Sequence, residues 1–379
     1  MTETFIISGA RTPFAIWKKG TCGDGTEGGK LAECDPYDLA AASVKGAMGK
    51  IDLAPEKIER VVFANAYHAG QYGVYGGRYV VLRSGLHHSV TNLTVNQACG
   101  AGMQAVISGA QEITCGEYNL VAACGADVPS QVPRNVFVPS FNDWAAGRPI
   151  AQTSQTCSAA LGFSRAEQDA WALKSHQRAL AARTKGYFKE EIVPVEKAPN
   201  ATEDDGILNN PTAEYFANAK ILFEDENLGA TSANTHAIVD AGSALLLANS
   251  KGAAGTNPLG RYLGGAVVSV DPQKMAYGSV EAIRTLLGKL AWDIKEVDLF
   301  EINETFASQM LVAFKELQLP EDKVNVNGGG IALGHPFGGS GCRLVHTLLL
   351  ELKRRGLKRG IAAICVGGGS GVAVAVERL

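Results

Sequence analysis

No C-x-x-C pair occurs among the eight cysteines of this chain, which are scattered at positions 22, 34, 99, 115, 124, 157, 342 and 365. That spacing argues against a zinc ribbon or a disulfide framework and for free thiols in a reducing compartment. No apolar run reaches the roughly 18 residues of a membrane span, so membrane insertion is not expected. Charge is nearly balanced at −3, without the basic stripe that nucleic acid would require. Neither G-x-x-x-x-G-K-[ST] nor a strand-linked G-x-G-x-x-G is present, which removes the usual nucleotide cradles. The start, Met1-Thr-Glu-Thr-Phe-Ile-Ile, lacks the basic apolar pattern of a signal peptide, and the final Glu-Arg-Leu is a poor peroxisomal address. The expectation is a cytoplasmic, soluble protein.

What is abundant is glycine, 44 residues, within a chain that is 46% hydrophobic. That balance suits a compact α/β protein with close backbone packing. At 379 residues the chain exceeds one ordinary core, so two or three domains or a duplicated unit are expected. A duplication is visible. Lys50 matches Lys289 at an offset of 239, Asn65 matches Asn303 at 238, and Cys99 matches Gly338 at 239. Helix and strand patterns recur around these landmarks, and alternation of the two predicts mainly parallel sheets with right-handed crossovers, once per half. The division predicted is a first half of residues 1–125 plus 241–268, an insertion of 126–240, and a second half of 269–379. Within the insertion Ser164-Arg-Ala-Glu167 forms a capping box ahead of a helix, and 200–210 reads as a polar loop. Such an excursion serves either as a lid over a cleft or as an oligomer contact.

Candidate chemistry comes from three separated places. In Val95-Asn-Gln-Ala-Cys99-Gly-Ala-Gly102 a strand pattern gives way to a helix pattern with a cysteine at the junction. Unpaired N–H groups at a helix start favour a thiolate, which predicts a lowered pKa for Cys99; packing among small residues is the alternative. His335 lies in a glycine run just before the turn equivalent to Cys99, so it should face the same cleft, either as a base or as a hydrogen-bonded core histidine. Cys365 and Gly367 end the last long strand pattern, where backbone N–H groups can meet an oxyanion or the cysteine can simply fill space. Asn303 sits at another strand end, as a polar site residue or a helix cap.

Taken together, Asn-Gln-Ala-Cys99-Gly-Ala-Gly, Asn303-Glu-Thr-Phe, Gly334-His335-Pro-x-Gly-x-Ser-Gly and Cys365-x-Gly-Gly-Gly resemble the thiolase family. Ala10-Arg-Thr-Pro-Phe14 and Ser164-Arg-x-x-Gln-Asp169 extend the likeness over nearly the whole chain. The resemblance implies duplicated βαβαβαββ halves stacked as an α-β-α-β-α core with an inserted loop domain. It implies a homodimer or homotetramer acting on acyl-CoA and CoA in fatty-acid metabolism, with no metal and no cofactor beyond the coenzyme A thioesters that are its substrates. By motif, Cys99 would be the nucleophile activated by His335, and Cys365 the acid/base. His335 and a water held by Asn303 would form one oxyanion hole, and the N–H groups of Cys99 and Gly367 the other. A pKa near neutral is expected for Cys365.

Departures from the family pattern cluster where substrate would sit. Asn303-Glu-Thr-Phe306 replaces the usual Asn-Glu-Ala-Phe, a mild change. The usual Gly-Asn-Ala-Ser-Gly reads Ala233-Asn-Thr-His236-Ala, and Asp204–Asn210 stands where an arginine-bearing loop normally meets the nucleotide. His236, Met275 and Phe306 are the candidate substrate or CoA contacts. The expectation is a longer, branched or functionalised 3-oxoacyl-CoA rather than acetoacetyl-CoA. A decarboxylating ketosynthase would carry a second histidine in place of Asn303, a partner subunit without activity would have lost some of these groups, and an oxidoreductase would need a dinucleotide fingerprint.

Overall fold

The computed structural model describes residues 2–17, 28–68, 73–222 and 229–379; Cys22 lies outside the described residues. Apart from Thr91–Val95 and Gly260–Ser269, which are partly exposed, the strands form where small and branched apolar residues run almost continuously, as expected for strands covered on both faces. They are β1 (Thr4–Arg11), β2 (Arg60–Ala64), β3 (Thr91–Val95), β4 (Leu120–Asp127), β5 (Val239–Ala248), β6 (Gly260–Ser269), β7 (Leu299–Ile302), β8 (Arg359–Val366) and β9 (Ser370–Arg378). With the short strand Ala15–Ile16, which pairs with β5, they make one ten-stranded sheet of order β7-β8-β9-β6-β1-β5-β4-β2-β3. The two halves mirror each other across a short antiparallel seam, Thr4–Ile6 of β1 against Gly260–Tyr262 of β6.

Each half is mixed rather than mainly parallel. β2 pairs parallel with β3 and β4, and β7 parallel with β8. The last strand of each half, β5 or β9, then turns back antiparallel between its neighbours. The boundary expected at 268 also moves. β6 pairs with β9 along its whole length from Gly260 to Ser269, so it opens the second half. A strand's own apolar pattern carries no record of which neighbour it will bond, which is why the sequence misplaced it.

Eight helices of seven or more residues occur among the described residues: α1 (Pro36–Gly49), α2 (Gly77–Arg83), α3 (Ala101–Thr114), α4 (Ile150–Ala160), α5 (Arg165–Thr184), α6 (Gly278–Leu290), α7 (Ala307–Leu317) and α8 (Ser340–Arg355). α3 and α8 pack on each other and on strands of both halves, forming the middle layer. α1 and α2 share a core with the outer face of the first half, α6 and α7 with that of the second. Local chemistry starts the helices: Asp35 caps α1, and the Ser164–Glu167 capping box opens α5 as expected.

The insertion docks firmly. Trp171 of α5 packs edge-on against Phe314 of α7 at 4.7 Å, and Arg178 donates to the carbonyl of Val324 at 2.7 Å. The 200–210 tract has no helix or strand, but Asp204 within it is buried against Arg11. No helix among the described residues is long and apolar enough to cross a membrane.

Candidate active site

β3 delivers the chain to Cys99 through a tight turn. The Asn96 side chain accepts the N–H of Ala98 at 2.9 Å, Ala98 takes a φ of +45°, and a single turn at Ala98–Gly100 leads into α3. Gly100 is required here, since a Cβ would lie 2.8 Å from the side chain of Val372. Cys99 is buried and shares the lining of one hollow with Gly367, and the backbone N–H groups of Gly367 and of Cys99 itself act to lower its pKa. The lowered pKa expected from the helix start does not hold. Burial pushes the thiol up to about 12, the nearby Cys365 adds to the rise, and the two N–H groups recover only part of it. Partial charges at a helix end cannot offset full loss of water around an anion.

The matching turn of the second half carries His335. Gly334 adopts a φ of +103°, and a Cβ there would meet Val239 at 2.3 Å. The histidine N–H donates to the carbonyl of Ala237 at 3.0 Å, fixing the backbone against the insertion. Its Nδ1 lies 2.5 Å from Ser340 Oγ, at the start of α8, while its Nε2 is buried with no protein partner. Ser340 can donate to or accept from Nδ1, so either tautomer is served. His236 stands edge-on at 5.0 Å and Phe337 at 4.9 Å between ring centroids. Burial, then His236 and Arg343, hold the imidazole pKa well below its ordinary value. Asp127 anchors the turn by accepting the N–H of Gly338 at 2.7 Å.

Cys365 ends β8 among Ile150, Ala151, Met275 and Phe306. Burial pushes this thiol up to about 11, not toward neutrality, and a hydrogen bond to Thr305 works against that rise. The Sγ donates to Thr305 Oγ1 at 3.4 Å, and the same oxygen accepts from Asn303 Nδ2 at 3.0 Å. Asn303 caps no helix, because α7 begins after Phe306; its Oδ1 is buried and free of any protein partner. Glu304 turns the other way. It accepts from Ser175 of α5, Asn325 and the N–H of Ile331, tying the insertion to the glycine loop that carries His335.

The structure places Cys99 and Gly367 in one hollow with Cys365 nearby, and hydrogen bonds join Cys365 to Thr305 and Thr305 to Asn303. His335 reaches the group through Phe337, which lines a hollow of about 350 Å³ with Cys99 and Gly367; it makes no hydrogen bond to the Cys99 sulfur. A second, more apolar hollow of about 380 Å³ contains His236 and Phe306 and shares Phe141, Asn142 and Ile150 with the first. Met275 is fully buried behind Phe306 and lines neither. Sequence reasoning missed Thr305, Ser340 and Asp127. The substitution inside Asn303-Glu-Thr-Phe306 was the available signal for Thr305, and the Ser of the Gly334–Gly341 motif the one for Ser340.

A buried pair of thiols and an imidazole at the meeting point of duplicated halves is the kind of arrangement that acyl transfer through a cysteine requires. Comparison with known proteins narrows the class. The thiolase N-terminal domain model matches residues 4–139 and 129–251, and the thiolase C-terminal domain model matches 256–378. The acetyl-CoA acetyltransferase of Chromobacterium violaceum is 36% identical over 381 residues, covering 93% of this chain and 96% of that protein. The 3-ketoacyl-CoA thiolase of Bacillus subtilis is 34% identical over 399 residues, covering all of both. The crystal structure of human mitochondrial 3-ketoacyl-CoA thiolase in complex with CoA superposes with a TM-score of 0.93 at 33% identity, covering 100% of this chain and 98% of that one. The chain belongs to the thiolase family.

Proposed function

We propose that this acyltransferase cleaves a 3-oxoacyl-CoA with coenzyme A, or condenses two acyl-CoAs in reverse, with Cys99, His335, Cys365, Asn303 and Gly367 as its working groups and no separate cofactor. In the cleavage direction His335 takes the proton of Cys99 as the sulfur attacks the 3-oxo carbonyl. The bond between C2 and C3 breaks, the acyl group stays on Cys99, and Cys365 protonates the departing α-carbon. Coenzyme A then loses its thiol proton to Cys365 and attacks the acyl-cysteine, and His335 returns its proton to Cys99. Both cysteines end as they began. The observation that carries this reading is the single hollow lined by Cys99 and Gly367, with Cys365 close enough to raise the Cys99 pKa. A thioester there has donors for its oxygen and an acid beside it.

A neutral resting site suits the sequence of proton transfers. Raised thiol pKa values and a depressed imidazole pKa keep the three groups uncharged, so charge appears only as substrate arrives. Nδ1 bonded to Ser340 leaves Nε2 free to accept the Cys99 proton in one tautomer and to donate to an oxyanion in the other. Asn303 Oδ1, having no protein partner, can hold a water through one O–H while the other points at the same oxyanion.

The apolar second hollow beside His236 and Phe306 favours an acyl group longer than acetyl, lying in one hollow while the pantetheine arm lies in the other. A homodimer or homotetramer formed through the open edge at β3, where Leu93 and the nearby Val74 and Tyr75 are exposed, completes the reading, in a reducing compartment such as the cytoplasm. Mass spectrometry after mixing with an acyl-CoA tests the chemistry: an acyl adduct is expected on Cys99 and lost in Cys99→Ser. Label on another cysteine, or none, overturns it. Equal turnover of acetoacetyl-CoA and a panel of longer 3-oxoacyl-CoAs would overturn the substrate class.

A further inference from the structure

Resting on the roles proposed above for Cys365 and Asn303, we propose that Thr305 is a positioning residue whose hydroxyl couples the acid/base thiol to the amide of the oxyanion site. Three observations converge on it. Its Oγ1 lies 3.0 Å from Asn303 Nδ2 and 3.4 Å from Cys365 Sγ, and all three residues are wholly buried. Its carbonyl accepts the N–H of His236 at 3.2 Å, and next to it Phe306 bridges to Thr235, so the insertion fixes this backbone from outside. Alanine, the usual residue at this point of the family motif, could make neither side-chain contact.

The hydrogen-bond inventory of a hydroxyl explains the coupling. One O–H and two lone pairs are available. Asn303 Nδ2 occupies one lone pair permanently, which holds the amide in a single orientation and directs Oδ1 to the opposite side, where no protein group meets it. The remaining capacity faces the sulfur. With Cys365 as a thiol, its S–H donates to the second lone pair. Once the proton has gone to the substrate carbon, the Thr305 O–H turns and donates to the thiolate. A charge-assisted bond to the anion is stronger than the bond to the thiol, so the hydroxyl favours proton release from a group that burial otherwise holds protonated. No proton leaves Thr305; only its O–H direction changes.

Thr305→Val keeps the branched shape and removes the hydroxyl, Thr305→Ser keeps the hydroxyl, and Thr305→Ala removes both. The measurements are kcat with a 3-oxoacyl-CoA against pH, the Cys99 acyl adduct by mass spectrometry, and the pH dependence of Cys365 alkylation by iodoacetamide in the intact enzyme. Expected for Thr305→Val is a Cys365 alkylation curve and an alkaline kcat limb displaced upward by about one pH unit, with kcat at pH 7.5 lowered about tenfold. The Cys99 adduct should still form, and Thr305→Ser should return kcat to within about threefold of the parent. Unchanged pH curves in Thr305→Val overturn the proposal, as does equal loss in Thr305→Ser and Thr305→Val. Absence of a Cys99 adduct in the parent enzyme is a different result, and it removes the thiolase chemistry itself.

Discussion

Gly102 and Gly341 meet backbone to backbone where the two central helices begin, at equivalent positions of the duplicated halves. A Cβ on Gly341 would lie 1.9 Å from the Met103 nitrogen, and one on Gly102 would lie 2.4 Å from the Gly338 oxygen. This contact sets how closely the Cys99 turn and the His335 turn approach.

Either glycine changed to alanine should therefore unfold the enzyme at lower temperature, by about 2–4 kcal/mol, because backbone and not a flexible side chain must give way. Gly288→Ala is the control. It lies in α6 with nothing within 4 Å of its Cβ position, so a gain of about 0.5–1 kcal/mol is expected. Urea unfolding of the three variants checks both signs.

Cys99 alkylation should follow a buried, protonated thiol. With its pKa pushed up to about 12, the thiolate fraction rises about tenfold per pH unit from pH 7 to 10 without levelling. Iodoacetamide labelling read at the Cys99 peptide measures this, and a plateau near pH 8 would reveal a preformed ion pair instead. His335→Asn should leave that slope in place while slowing acylation by acyl-CoA about 10²–10⁴-fold, since the proton acceptor is gone.

Asp127 is a buried carboxylate accepting N–H groups of Ala66, Tyr67 and Gly338 and the amide of Asn65. Asp127→Asn turns an acceptor into a donor facing donors, at a cost of about 1–3 kcal/mol, with loss of activity as the Phe337–Gly339 turn shifts. Burial raises the Asp127 pKa to about 7, so its proton is held more tightly in the folded protein than in the unfolded one. Its contribution to stability is thus whole below about pH 4 and falls as pH rises through 7. The stability gap between parent and variant should narrow by up to about 1.4 kcal/mol per pH unit across that window. Denaturant titrations at pH 5, 6 and 7 measure it.

Arg11 is buried between Glu191 and Asp204, at 2.6 Å from each. Asp204→Asn leaves an under-compensated cation in the interior and should cost about 3–5 kcal/mol, whereas Arg11→Met combined with neutral partners should cost much less. Melting temperatures of the single and combined variants decide between them.

Much of this was legible in the chain. The spacing that links Lys50 to Lys289 and Cys99 to Gly338 announced a repeat because two copies of one pattern can be compared along the chain, and the Ser164–Glu167 box announced α5 because capping is local. What stayed hidden depends on partners distant in sequence. Asp204 looked like loop polarity because Arg11, its partner, is far away in the chain. The Cys99 pKa was read from its helix start alone, when the larger influence is the burial produced by both halves closing over it. Thr305 looked like a mild substitution because its meaning lies in Cys365, on another strand.

The place of β1 has a consequence for biosynthesis. Its neighbours in the sheet, β5 and β6, start only at Val239 and Gly260. A ribosome must therefore extrude well over half the polypeptide before the first strand can find an edge to join. Until then a short apolar ribbon waits unpaired, which makes translation speed and holdase chaperones the natural determinants of yield.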